Sequence, residues 1–383
     1  MARVPLYDVV VIGAGMIGAA CADALALRGL QVAVLDRGPV AGGTTGAGEG
    51  NLLVSDKGPG PELELAVESL RLWRELADDL GAHALEYEPK GGLVVARDPR
   101  AFAELQASAR LQRTAGVTAA EVPADALGEL EPHLARELAG GVHYPQDAQV
   151  QPALAVAALL RRARGTGRVR LLAGTTVTGL AEGRVETDTH GPLHCAAVVN
   201  AAGTWGGEVA ALAGATLPVL PRRGFILVTE PLPPLVRHKV YAADYVADVA
   251  SGSADLQSSA VVEGTAAGPV LIGASRERVG FDRSLSVPVL ARLAAQAAEL
   301  FPVLSDVRAM RAYRGFRPYL PDHLPAIGPD PERPWLVQAC GHEGAGIGLA
   351  PATARLVAQL LDGEKPFMDP APFGPGRFGK EQS

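Results

Sequence analysis

The chain has little cysteine. There are three in 383 residues, Cys21, Cys195 and Cys340, far apart in sequence and each inside an apolar run. That spacing offers no disulfide framework and no metal-binding set, so the thiols are expected to be reduced core residues of a cytosolic protein. Iron–sulfur clusters are held by several thiolates, more than this chain can supply. There is no excess of positive charge: the formal net charge is −7, which argues against a nucleic-acid partner. Long apolar runs are also missing. The longest one near the start, 9–22, is bracketed by Asp8 and Asp23 and broken by glycines. It is too short to span a bilayer and lacks the charged lead and cleavage site of a signal peptide. A cytoplasmic location follows, with peripheral contact to the inner face of the membrane left open.

What is present is concentrated first in residues 7–36, YDVVVIGAGMIGAACADALALRGLQVAVLD. The β-branched run 7–12 predicts a buried parallel strand, 16–28 an Ala- and Leu-rich helix stopped by Gly29, and 31–35 a second strand. Gly13, Gly15 and Gly18 form G-x-G-x-x-G between strand and helix. Gly13 permits the tight turn, Gly15 lets a pyrophosphate approach the backbone, and Gly18 lets helix pack on strand. The helix start then offers free N–H groups and the positive end of a dipole to phosphates. Asp36, closing the second strand, is placed to accept from a ribose diol. The order strand, glycines, helix, strand, acid is a strong dinucleotide-binding signature where the glycine triplet alone is weak.

The Gly- and Thr-rich stretch 38–56 resumes an apolar pattern at Asn51 and is read as a loop docked on the body. An amphipathic helix is expected over 62–80, with Leu65, Leu72 and Leu76 on one face. Further strands are expected over 93–96, 141–144, 169–172 and 175–180, and helices over 100–114, 124–131 and 151–164. Residues 198–205, VVNAAGTW, repeat the strand–small turn–helix logic of the start. Residues 221–230 and 261–275 are expected as strands of an inserted domain, 288–301 as a helix, and 307–316 as an apolar strand ending at Arg317. The chain returns with strands over 326–328 and 335–340, then a second glycine-rich helix entrance at 341–353. The Gly- and Pro-rich end is expected to fray. The fold class is α/β (α+β overall): a discontinuous Rossmann-like domain from 1–85, 146–218 and 322–383, with an inserted antiparallel-sheet domain from 86–145 and 219–321.

Taken together, GAGMIG, GGTTGAG, NAAGTW, RGFRPYLPDHLPAIG and GHEGAGIGLAPATA resemble the D-amino-acid oxidase-like flavoprotein family over nearly the whole chain. The likeness is nearest the glycine oxidase, D-hydroxyproline dehydrogenase and D-amino-acid dehydrogenase branch, and the cyanide-forming glycine dehydrogenases. The resemblance implies extended FAD held by Gly13, Gly15, Met16, Ile17, Gly18, Asp36 and Arg37. It puts Thr44, Thr45, Gly46, Ala47, Gly48 and Asn51 along the flavin, Val177 at the adenine, and Ala202, Gly203 and Trp205 near the pyrophosphate. Gly344, Ala345, Gly346, Ile347, Gly348 and Leu349 would cap the flavin's pyrimidine end. The sarcosine oxidase branch tethers its flavin through a cysteine near the segment matched by 313–319; none occurs here, so non-covalent FAD is implied.

The same resemblance implies that Arg317 binds a substrate carboxylate through its planar fork, with a structural pair to Asp322 as the alternative. Tyr245 is a second substrate-facing candidate, against a buried tyrosine satisfying its own hydroxyl. His342 and Glu343 are read as shaping the cofactor loop, because oxidation of a neutral amine needs no strong protein base. No metal is implied. The implied activity is oxidation of a small amino or imino acid (a D-amino acid, glycine, or a D-proline or hydroxyproline type) to an imine. Oxygen or a quinone-linked carrier would reoxidise the flavin. Two assembly states stay open: a self-sufficient enzyme, alone or as a homo-oligomer, or a subunit that works only with electron-relay partners.

Overall fold

The computed structural model describes residues 7–245 and 253–379. Its architecture starts from the strand Tyr7–Ile12, whose side chains are buried on both faces apart from Asp8. That is the environment of a central parallel strand, and it explains the unbroken apolar run. The strand lies between Val32–Asp36 and Leu193–Asn200, parallel to both, with Val10 opposite Ala33 on one side and Val198 on the other. Val169–Ala173 extends one side, and Leu336–Cys340 followed by antiparallel Ala326–Pro329 extends the other. An antiparallel ribbon, Val177–Ala181 and Arg184–Thr187, completes eight strands. The helix Met16–Leu27 packs against Pro152–Gly165 and Gly346–Leu361 beside this sheet. Its Ala, Gly and Cys residues allow that close approach.

The second sheet also has eight strands: Ala309–Tyr319, Leu220–Thr229, Val270–Arg276, Gln257–Gly264, Lys239–Ala242, Gly92–Ala96, Gly140–Tyr144 and Ala120–Pro123. Its pairs are antiparallel except that Lys239–Ala242 runs parallel to Gly92–Ala96. The helix Val287–Leu300 covers it with Val289, Leu293, Ala297 and Leu300, spaced so that one stripe faces the core. Both sheets match the α/β class expected from the sequence.

Four details differ from expectation. Residues 261–275 are not one extended segment: Gln257–Gly264 and Val270–Arg276 form a hairpin, closed by the Thr265 N–H bonding the Pro269 carbonyl at 3.1 Å. Gly268, at φ +99°, makes that turn possible. In the helix Pro61–Leu80 Leu65 is buried as expected, but the rest of the buried stripe runs through Leu63, Ala66, Leu70, Trp73 and Ala77, whereas Leu72 and Leu76 sit at its margin. Arg317 lies inside the strand Ala309–Tyr319, not after it; Pro318 does not end the strand, because it faces Pro221 at the sheet edge and neither residue has an N–H to lose. The C-terminal segment is docked through residue 379. Phe373 is fully buried, and Arg377 bonds Asp322 at 2.6 Å and the Leu324 carbonyl at 2.6 Å.

Candidate active site

The strands Tyr7–Ile12 and Leu193–Asn200 leave the sheet at their carboxyl ends in opposite directions, and such a switch point opens a crevice. The crevice is the end of one long cavity that runs from the first sheet to the second. At its first end Gly13 has φ +112°, and a Cβ there would stand 2.3 Å from the Ala201 carbonyl oxygen. Only glycine fits. Gly18 has the packing role foreseen for it: a Cβ would lie 1.8 Å from the Gly13 oxygen. Asp36 is already engaged in shaping the turn. One carboxylate oxygen accepts from the Ala14 amide at 2.7 Å and the other from the Gly38 amide at 2.8 Å. An ionised carboxylate has further lone pairs for a diol on the cavity side. The Arg37 guanidinium lies over the Trp205 ring at 4.5 Å, and Phe281 stacks on the same ring at 5.5 Å.

The stretch 38–56 is docked, as expected. Thr44–Ala47 forms a single 3-10 turn, and Asn51–Leu52 pairs with Ala148–Gln149. Thr45 accepts from the Met16 amide at 3.0 Å. Thr44 and Thr204 donate to the Phe316 carbonyl at 2.6 and 2.7 Å, fastening this loop to the second sheet. Opposite, the helix Gly346–Leu361 begins without a side-chain cap, and at Met16–Leu27 the N-cap Gly15 has none to offer, Thr45 taking only the first amide. Gly346 and Ile347 line the cavity there. Uncapped helix starts leave backbone donors for a ligand.

Of the residues foreseen, Gly13, Gly15, Met16, Ile17, Asp36, Arg37, Thr44, Thr45, Ala47, Gly48, Asn51, Val177, Ala202, Gly203, Trp205, Gly344, Gly346, Ile347, Tyr245 and Arg317 share this wall. Gly18, Gly46, Ala345, Gly348 and Leu349 stand behind it. A Cβ on Gly46 would meet the Ala41 oxygen at 2.5 Å, and one on Gly348 the Asn51 oxygen at 3.2 Å, so these two glycines serve packing. Leu349 is in the buried face of its helix.

Arg317 reaches the cavity over Gly224. Gly224 pairs with Gly315 on the neighbouring strand, and a Cβ on Gly224 would lie 2.2 Å from Arg317 Nη1. That vacancy lets Nη1 donate to the Ser275 carbonyl at 2.8 Å. Burial, and next the nearby Arg276, hold the Arg317 pKa below its usual value. Asp322 is not its partner; it pairs with Arg377. Tyr245 is buried beside Tyr241, with the Arg276 guanidinium 4.9 Å from its ring centre, and burial raises its pKa.

His342 is buried, with Nε2 3.0 Å from Thr353 Oγ1, and burial pushes its pKa down to about 3. It lines the cavity as an imidazole that burial keeps neutral. Glu343 is held by Arg222 at 2.5 Å and His323 at 2.9 Å; these bonds outweigh burial and keep its pKa below the usual range. Burial pushes the thiols of Cys21 and Cys340 up to about 12, which suits inert core residues.

Glu49, Gly224 and Gly315 are among the wall residues that escaped the sequence reading. Glu49 sits in the small-residue loop between features that suggested only backbone contacts. The two glycines look like ordinary strand glycines until the register pairs them.

A family model described as "FAD dependent oxidoreductase", DAO, matches residues 8–360. The chain belongs to the DAO family. Its cofactor is FAD. The hydrogen cyanide synthase subunit HcnC of Pseudomonas aeruginosa is 33% identical over 98% of this chain and 97% of its own length. Glycine oxidase of Geobacillus kaustophilus is 30% identical over 96% of each chain. The crystal structure of that glycine oxidase superposes with a TM-score of 0.88, covering 98% of this chain and 99% of its own. The wall suits this cofactor: a backbone turn only glycine can make, two helix starts without an N-cap hydrogen bond, an acid at the ribose position of the fingerprint, and a buried Asn51 Oδ1 without a donor among the described residues. No described helix is long and apolar enough to cross a membrane.

Proposed function

We propose that this DAO-family oxidoreductase oxidises the C–N bond of a small amino or imino acid to an imine, with FAD bound non-covalently. Bound FAD supplies the two-electron acceptor. The observation that carries the reading is Arg317, a guanidinium on the cavity wall with one nitrogen pinned to the Ser275 carbonyl. A guanidinium fixed in this way presents its remaining edge in one orientation, and a carboxylate is the anion that matches a planar fork. Small amino acids offer few other handles, so anchoring the carboxylate fixes where the α-carbon lies. The uncapped start of Gly346–Leu361 offers backbone donors on the cavity wall, and such donors would stabilise negative charge on the reduced cofactor. Tyr245 and Ile226 line the same cavity as Arg317. The name of one similar protein, a glycine oxidase, agrees with a small amino acid substrate.

The test is a panel of D-amino acids, glycine, sarcosine, proline and hydroxyproline isomers, assayed with dye and with oxygen. Arg317→Ala should keep FAD yet lose about 10²-fold or more in kcat/KM, since misplacement by about 1 Å can cost that much. Arg317→Lys should recover only part, and an amine lacking a carboxylate should lose far less. Equal losses on both substrate types would refute the assignment.

A further inference from the structure

The cavity wall carries an anion as well as a cation. Glu49 lines the same cavity as Arg317 and is 7% exposed. Its Oε2 accepts from Asn51 at 3.2 Å, while its Oε1 is buried and has no hydrogen-bond partner among the described residues. The carboxylate rests on Gly273, where a Cβ would stand 2.7 Å from Oε1. The nearest lysine does not resolve the charge. Lys239, wholly buried, bonds Glu263 closely and reaches Glu49 Oε1 only as a long ion pair of 3.8 Å, outside hydrogen-bond distance. One lysine thus serves two buried carboxylates, and Arg317, the other cation acting on Glu49, directs its visible bond to Ser275. A buried carboxylate with no hydrogen bond from a cation is costly, and burial raises the Glu49 pKa despite the ion pair with Lys239. Such a group on a ligand-binding wall is matched when a cationic ligand arrives.

Resting on the amino-acid reading above, we propose that Glu49 binds the protonated amine of the substrate. Arg317 and Glu49 then recognise the two ends of a zwitterion, and Glu49 makes the amine a requirement for binding. The Lys239–Glu263 pair holds the floor beneath Glu49 and positions its carboxylate.

The test uses two ligands of one shape that cannot be oxidised: 2-aminoisobutyrate, which carries the amine, and pivalate, which has a methyl in its place. Each is titrated into the FAD-loaded protein and followed by the flavin difference spectrum and by calorimetry. The wild-type protein should bind 2-aminoisobutyrate at least tenfold more tightly. Glu49→Gln should lose that preference with pivalate affinity unchanged, and Glu49→Asp should keep part of it. No preference in the wild-type protein, which needs no substitution to observe, overturns the role of Glu49 while leaving the carboxylate site of Arg317 standing. A preference retained in Glu49→Gln, or equal weakening for both ligands, also overturns it. Failure of both ligands to bind the wild-type protein overturns the amino-acid reading and this role with it.

Discussion

Asp36 has more than one task. The fingerprint assigns it to a ribose, but both its oxygens also hold the turn, through the amides of Ala14 and Gly38. Removing the carboxylate therefore loosens the cradle as well as deleting a ligand contact. A charge-assisted hydrogen bond contributes about 1.5–3 kcal/mol, roughly ten- to hundredfold in affinity. Asp36→Ala should weaken FAD binding by at least that range, and Asp36→Asn, which keeps an acceptor, by less. Fluorescence titration of the apoprotein measures both; unchanged affinity would show that the ribose is held elsewhere. Asp36 and Glu49 differ in how openly the sequence announces them. The acid of a fingerprint is given by its distance from three glycines. Glu49 has no such frame, because its meaning depends on Lys239, Glu263 and Arg317, which arrive from another sheet.

Elements show the same division. The first strand–helix–strand unit was legible because each part obeys a local rule: a doubly buried strand is continuously apolar, and a helix passing close to a sheet is built of small residues. The second helix entrance was legible too, and its start gives a prediction. Gly346 is the first residue of the helix Gly346–Leu361 and lines the cavity; a Cβ there would already be 3.3 Å from His342 Cβ. Gly346→Leu should leave far-ultraviolet dichroism unchanged, because the side chain projects from the helix start, while the purified protein loses its yellow colour. Normal flavin content would place the cofactor away from this helix. What the sequence hid was register. Arg317 seemed to end a strand because a proline follows it, yet Pro318 and Pro221 oppose each other at a sheet edge. The space that admits the Arg317 guanidinium exists because Gly224, on the neighbouring strand, has no side chain, a non-local fact. The tail was misread for a similar reason: its Gly and Pro content suggests fraying, but Phe373 and Arg377 find partners in residues 322–325 and the core.

For the whole molecule, the buried charges couple the fold to pH. His342 is neutral when folded, with its pKa pushed down to about 3 by burial, whereas an unfolded histidine titrates near about 6.5. Below about 6.5 the unfolded chain takes up a proton that the folded chain refuses, so stability contributed by this site is present above that pH and is lost as pH falls toward 3. Asp147 acts in the opposite direction. Burial pushes it up to about 7, so its folded form holds a proton that the unfolded chain releases, and its contribution grows as pH falls from 7 toward 4. The two partly cancel in the stability curve of the wild-type protein, which therefore cannot isolate either one. A variant separates them. His342→Gln keeps a hydrogen-bonding group near Thr353 and removes the titration. Between pH 7 and pH 5 the wild-type protein should lose about 2 kcal/mol more unfolding free energy than the variant, at about 1.4 kcal/mol per pH unit below the unfolded value. Denaturant melts of both proteins at the two pH values give the double difference directly. Parallel pH curves would mean that His342 is protonated inside the folded protein, in which case a charged imidazolium, and not a neutral ring, stands behind the helix entrance of the cofactor site.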